Sequence, residues 1–299
     1  MCCKLNQFCS IYIAMKNKNF KDLTVVMVSY AASNNVLRLL KKIPSEIKVI
    51  IVETSKDYRL KKKVNETFLN AKVVIPPKNS GNGAGINYGY KHVKTNFFAY
   101  IDCDVYFEKN LFKILLAAGK KIKSFGILSP KQRNENQDAY VVGFDKKHAL
   151  KKLSYANGAV MLFNKKDFKK IGFFDENIFL YFEESDYFIR CHKIKKHIYF
   201  IENAICTHKG SQSMNKEYLK KYKILRSWHY CWSKFYFFRK HNNYFFAFRK
   251  TFPNLIRSIK NIVKFTIIFN YFDLVLSCAE LRGLISSYFL RKSSLRMKI

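Results

Sequence analysis

Four short apolar runs recur at near-regular spacing through the first third of the chain: LTVVMVSY (Leu23–Tyr30), IKVIIVE (Ile47–Glu53), AKVVI (Ala71–Ile75) and FFAYID (Phe97–Asp102). Each is rich in β-branched or aromatic residues and lacks the polar alternation of a half-exposed strand, so each reads as a strand buried on both faces. Between them lie stretches of helical pattern. Ser33 or Asn34 is placed to cap the first, Pro76-Pro77 stops the third strand, and a glycine-rich loop opens a helix near Ala84. Strands alternating with helices dictate βαβ units, hence an α/β fold whose mostly parallel sheet is sandwiched by helices.

The pattern loosens after Asp104. Phe125–Ser129, Asn157–Phe163 and His197–Glu202 read as further strands, and QRNENQDAY as a polar loop. Helices are expected from about Lys165 to Gly172 and from near Glu184. From Asn215 onward the chain reads as helical, basic and aromatic. Three parts result: a leader over 1–22, a catalytic-type domain over 23–213, and a basic aromatic helical extension over 214–299.

With 48% apolar residues in 299, the chain has ample material for a core, which excludes a disordered or low-complexity protein. No uninterrupted apolar run reaches the roughly 18–20 residues that a spanning helix needs. The leader lacks a charged start, a long apolar core and a small-residue cleavage site, so it does not read as a secretory signal. Eight cysteines are scattered without a Cys-x-x-Cys pair, as expected of reduced thiols in a cytosolic protein. The net charge of +34 attracts polyanions, whether nucleic acid, an anionic bilayer or phosphorylated substrates. A nucleic-acid-binding protein is therefore a rival reading, though it leaves the acidic clusters unexplained.

Ligands of such sheets sit beyond the carboxyl ends of the strands. The residues there are Ser29, Tyr30, Glu53, the loop Asn79-Ser80-Gly81-Asn82-Gly83, and Asp102-Cys103-Asp104. Two acids one residue apart repel each other unless a cation or strong donors are present. Mg²⁺ or Mn²⁺ fits, with diphosphate oxygens completing the shell. The structural alternative makes Asp104 a helix N-cap. The glycine loop also suggests a dinucleotide fingerprint, but neither G-x-G pair has a glycine three residues later. A second cluster, Glu183-Glu184-Ser185-Asp186, follows an aromatic lead; its carboxylates suit either general-base work or the first turn of a helix. His208 is a candidate third metal ligand.

Taken in order, VVMVSY (Val25–Tyr30), KNSGNGAGINYGY (Lys78–Tyr90), FAYIDCDV (Phe98–Val105), NGAVMLFNKKDFKKIGFFDENIFLYFEESDYFIR (Asn157–Arg190) and AICTHKGSQS (Ala204–Ser213) resemble the inverting glycosyltransferases of family 2 with the GT-A fold, in their rhamnosyltransferase-like branch. The resemblance implies that Ser29, Tyr30 and Glu53 line a base and ribose pocket, while Asn79, Gly81, Gly83 and Asn87 shape a donor loop. It makes Asp104 the holder of Mg²⁺ or Mn²⁺, helped by Asp102 and with His208 near the diphosphate or the metal. Glu184 stands at the position of the family's aspartate base, with Glu183 and Asp186 beside it, and Gly158 and Ala159 border the acceptor. Glu53 and Glu184 each stand where the family usually has Asp. The implied partners are a nucleotide-sugar donor, with dTDP-rhamnose the first choice and UDP- or GDP-sugars left open, and a saccharide or lipid-diphosphate-linked acceptor of surface polysaccharide synthesis. No nucleic acid is expected. Such acceptors imply a cytoplasmic enzyme, peripheral at the anionic inner face of the cell membrane, unless the C-terminal helices instead pack as a bundle on the catalytic domain; an inactive scaffold is the other alternative function.

Overall fold

In the computed structural model, the residues described are 20–133, 141–145, 150–153, 156, 158–208 and 218–297. The leader up to residue 19, most of the QRNENQDAY loop, Asn157 and the end of CTHKGSQS lie outside them. The chain divides into two compact units. One comprises Met1–Asn79, Gly85–Phe173 and Tyr187–Ser213, the other Ser80–Ala84, Phe174–Asp186 and Met214–Ile299. Two short pieces of the stretch 23–213 thus cluster with the C-terminal helices.

The first unit is built on a sheet of ten described strands. The strands are β1 (Leu23–Ser29), β2 (Lys48–Glu53), β3 (Ala71–Val74), β4 (Phe97–Ile101), β5 (Val105–Phe107), β6 (Ile127–Gln132), β7 (Val141–Asp145), β8 (Leu150–Leu153), β9 (Val160–Asn164) and β10 (Ile198–His208). Their order is β3-β2-β1-β4-β9-β6-β10-β8-β7, with β5 alongside β10. The expected α/β class is what forms. The β3-β2-β1-β4 half is parallel throughout, as is β6 with β10, whereas β9 runs antiparallel to both its neighbours.

The helices of the first unit are α1 (Ser33–Leu40), α2 (Tyr58–Thr67), α3 (Asn82–Tyr90), α4 (Leu111–Ile122), α5 (Lys165–Ile171) and α6 (Glu183–Lys193); the first residues of α3 and α6 count with the other unit. β1 and β4 are buried along almost their whole length, so helices must cover both faces. Leu23, Val25 and Met27 of β1, Leu39 of α1 and Leu115 of α4 meet in one core, which Phe20 joins from the end of the expected leader. A second contact region is aromatic, with the rings of Tyr90, Phe98, Phe163 and Phe168 packed at centroid distances of 4.8–5.5 Å.

Several local readings change. Neither Ser33 nor Asn34 caps α1: Ala32 precedes it, and the Ser33 hydroxyl instead donates to Asp57 at 2.6 Å. Asp104 does not start a helix either, because β5 intervenes and α4 begins after Asn110. β5, β7 and β8 were not anticipated. They are short, and their residues carry no long apolar run.

The second unit contains α7 (Leu219–His241), α8 (Tyr244–Ile267) and α9 (Tyr271–Tyr288). Trp228, Trp232 and Ala279 form its small core, and the Trp232 indole donates to the Arg291 carbonyl at 3.0 Å.

Candidate functional site

The strand order places a topological switch at the β1/β4 boundary. The chain runs outward from β1 through β2 and β3, then returns to β4 on the other side of β1. A crevice forms at the carboxyl ends of strands where that reversal occurs. The residues delivered there are Ser29-Tyr30 from β1 and Asp102-Cys103-Asp104 from β4. The Cys103 thiol donates to the Val28 carbonyl at 3.3 Å and so stitches the two ends together.

His208 arrives from a strand much longer than its apolar core suggests. The apolar pattern predicts a strand that stops at Glu202, yet β10 continues to His208 because Ile205 and Cys206 stay paired with β6 and its last three residues pair antiparallel with β5. In that register His208 faces Val105. Its Nε2 consequently lies 2.9 Å from Oδ1 of Asp104 and 3.8 Å from Oδ2 of Asp102. One ligand atom from each of Asp102, Asp104 and His208 falls within 4.8 Å of the others.

The loop is held from outside. Arg38 of α1 donates to the Cys103 carbonyl at 2.9 Å and to the Val105 carbonyl at 3.1 Å, and its guanidinium lies 4.0 Å from the Tyr106 ring centre. Tyr100 donates its hydroxyl to Asp102. Burial, followed by the neighbouring Asp102 and Asp104 charges, pushes the Cys103 thiol far up, so it is no thiolate ligand. The donor set of two carboxylates and one imidazole fits a divalent cation that accepts oxygen and nitrogen.

Around this cluster the other expected residues of the first unit fall as follows. The Ser29 carbonyl accepts from both the amide and the hydroxyl of Thr54 at 2.8 Å, which locks the ends of β1 and β2 together. The buried Ser29 hydroxyl makes no hydrogen bond among the described residues. Glu53 is fully buried. Its carboxylate accepts from the Ser55 amide at 3.1 Å, the Ser55 hydroxyl and the Asp57 amide at 2.7 Å, so it folds the loop after β2 instead of reaching outward. Tyr30 is half-buried, and Ala31 after it holds φ of 51°. Asn87 is buried on α3, whose Gly85 leaves no room for a side chain against Val28 of β1. The Ala159 carbonyl accepts from the Asp102 amide at 2.9 Å, so Gly158-Ala159 borders the acid loop.

Gly81, Gly83 and the acidic cluster belong to the second unit, and there they meet. Gly81 holds φ of +98°, and a Cβ on it would lie 2.0 Å from the Phe179 carbonyl oxygen. That carbonyl accepts from the Asn82 amide at 3.2 Å. A Cβ on Gly83 would stand 3.4 Å from that of Glu183. Just before α6 the chain takes two consecutive left-handed residues, Tyr181 (φ 66°) and Phe182 (φ 69°), which only firm surroundings sustain. Ser233 donates to the Leu180 carbonyl at 2.8 Å and Arg226 donates to the Tyr181 hydroxyl.

The three acids of α6 occupy unlike surroundings. Glu183 is buried and Glu184 half-buried. Burial pushes the Glu184 carboxyl above its ordinary value, the direction that strengthens it as a base. Asp186 is fully buried and lies 2.5 Å from Lys240 and 2.9 Å from His241. Lys240 also reaches Asp175 at 2.7 Å, where the Tyr236 hydroxyl donates at 2.9 Å. The resemblance sets Asp186 beside the base; in the fold its Oδ1 is engaged by Lys240 and His241 at the end of α7. Arg38, Lys240 and His241 escape a reading of motifs, because their partners are backbone carbonyls or acids distant in the chain.

The signature of glycosyl transferase family 2 matches residues 24–186. The chain belongs to glycosyl transferase family 2. That span holds both acidic clusters and ends at Asp186. Among curated relatives of this family 2 chain, the low-salt glycan biosynthesis hexosyltransferase Agl10 of Haloferax volcanii is 21% identical over 193 residues, covering 58% of the present chain and 62% of its own. Among solved structures, the mannosyltransferase PcManGT from Pyrobaculum calidifontis, in complex with GDP-Man and Mn²⁺, aligns with a TM-score of 0.57 at 11% identity over 95% of both chains. GalNAc-T7 with UDP, GalNAc and Mn²⁺ aligns with a TM-score of 0.54 at 14% identity, over 80% of this chain and 58% of its own. At these identities the likeness is one of fold. The match spans less than two thirds of Agl10 and of GalNAc-T7.

Proposed function

We propose that this family 2 chain is a metal-dependent inverting glycosyltransferase that moves a sugar from a nucleotide-sugar donor to an acceptor hydroxyl. One observation carries the reading: Asp102, Asp104 and His208 present three ligand atoms within 4.8 Å of one another at the switch point of a nucleotide-binding type of sheet. Two fold neighbours support it, since their structures hold UDP or GDP-Man together with Mn²⁺.

Asp102, Asp104 and His208 would hold a divalent ion, which would supply Lewis-acid neutralisation of the charge that builds on the departing nucleoside diphosphate. The residues of the chain do the rest. Asp104, buried and hydrogen-bonded to His208, gives a ligand whose direction is set before the donor arrives. Arg38 holds the loop in that shape. Ser29 offers its hydroxyl to the nucleoside, and Glu53 keeps the adjoining loop folded. Glu184 removes the acceptor proton as that oxygen attacks the anomeric carbon; the bond to the diphosphate oxygen breaks on the opposite face, and configuration inverts. Glu183 is the other candidate for this role. Asp186 acts as an anchor for α6, not as a reacting group.

For the donor, dTDP-rhamnose follows from the branch the sequence resembles, while GDP- and UDP-sugars follow from the fold neighbours. The acceptor is a saccharide or a lipid-diphosphate-linked sugar in surface polysaccharide synthesis. The test is a panel of dTDP-rhamnose, GDP-mannose, UDP-GlcNAc and UDP-GalNAc with Mn²⁺ or Mg²⁺, read as nucleoside diphosphate release. Release with one donor that chelator and Asp104→Ala both abolish supports the reading. Metal-independent release, or no release and no thermal stabilisation by any donor, overturns it.

A further inference from the structure

Helix α8 is built inside out. The side chains it buries are Ala247, Thr251, Asn254 and Ser258, a small and polar stripe at helical spacing. The side chains it turns outward are Phe245, Phe252, Ile256, Ile259, Val263 and Ile267, which recur at the same spacing on another face. The apolar surface continues past the helix end: Phe269 is 93% and Tyr271 78% exposed. Helix α9 repeats the arrangement in part, burying Ser277, Ala279, Gly283 and Ser287 together with one large apolar residue, Leu284. A water-soluble helix buries its apolar stripe, whereas close packing through small residues with large apolar ones outside is the habit of helices in an apolar medium.

Charge identifies that medium. α8 contains no acid, and its basic residues Arg249, Lys250, Arg257, Lys260 and Lys264 are all exposed along the flank of the apolar stripe. Between residues 218 and 297 there are sixteen Lys and Arg against two acids, Asp273 and Glu280. A second copy of so basic a face would be repelled. No helix among the described residues is long and apolar enough to cross a membrane. An apolar stripe flanked by cations, on a helix that does not span, suits the headgroup and acyl boundary of an anionic bilayer.

We infer that the outward face of α8, with the Ile268–Tyr271 turn, docks this protein on the surface of an anionic membrane. The inference rests on the second unit alone and does not depend on the reaction proposed above. Its test is flotation of the full-length protein with neutral phosphatidylcholine vesicles and with vesicles containing phosphatidylglycerol, at low and high salt, without donor or acceptor. Binding should be at least about tenfold stronger to the anionic vesicles and weaken with salt. The outward substitutions Ile259→Glu with Val263→Glu should remove most of it while leaving the melting temperature and donor turnover of the protein unchanged. Equal binding to neutral vesicles, or equal binding by the double variant, would overturn the assignment. So would a wild-type dimer in light scattering that the double variant turns into a monomer, since a second copy would then cover this face.

Discussion

The imidazole Nε2 of His208 lies 2.9 Å from the Asp104 carboxylate although 104 residues separate them in the chain. The contact exists because the last three residues of β10 pair with β5, the short strand that follows Asp104. It turns a two-acid motif into a three-ligand cluster. His208→Ala should therefore weaken Mn²⁺ binding by at least about 10–100-fold, the scale at which loss of even a group that only supports a ligand tells on a metal site. Asp104→Asn should weaken it more, because a buried charge is lost. Titration calorimetry with Mn²⁺ alone checks both, and unchanged affinity in His208→Ala removes the histidine from the cluster.

Glu184 makes a prediction of opposite sign for activity and stability. Burial raises its folded pKa, so the protonated form favours the folded state; that contribution is present below the unfolded pKa and lost as pH rises through the folded value. Glu184→Gln keeps a neutral side chain at every pH. It should raise the melting temperature at pH 7–8 relative to wild type, with little difference at pH 4, while lowering turnover by roughly 10²–10⁴-fold. The acid limb of the wild-type pH–rate profile should lie above the ordinary carboxylate range. Turnover near wild type in Glu184→Gln would transfer the role to Glu183.

Gly81 tests whether the donor loop is built on the Phe179 backbone. A methyl group there meets a carbonyl oxygen at 2.0 Å and sits on a residue with φ of +98°. Strain of this kind costs about 1–3 kcal/mol, and the clash forces the loop off Phe179 besides. Gly81→Ala should lower stability by at least that much in urea unfolding and weaken donor binding. Full stability together with full donor affinity would show the loop to be adaptable.

The Asp186 anchor is tested through its two partners, Lys240 and His241. Asp186→Asn leaves Lys240 and His241 beside a neutral group and should destabilise by about 3–5 kcal/mol, the cost of breaking a buried pair. Lys240 also serves Asp175, so Lys240→Met should be at least as damaging. At Asp175 burial pushes the carboxyl up, but the Lys240 hydrogen bond, the Asn177 amide and Tyr236 outweigh it and hold the pKa below the usual value. The stability from this pair is present above the unfolded pKa and lost as pH falls through the folded one. Acid unfolding of wild type against Lys240→Met, followed by circular dichroism, reads it.

The strands of the parallel half were legible from residue type, because a segment covered on both faces must be apolar at every position, and Val25, Ile50, Val73 and Phe98 obey that rule. The acids after β4 were legible for the complementary reason: two carboxylates one residue apart need a partner wherever they fold. Only the tertiary structure decided the partners. The extension of β10 to His208 depends on pairing with β5, whose three residues carry no periodic signal. The commitment of Asp186 to Lys240 and His241 depends on where α7 ends. The outward turn of the Phe245–Ile267 stripe depends on which face of α8 its neighbours occupy. Local composition fixes what a segment can bury; it does not fix against what, since contacts between distant segments are set by register and packing.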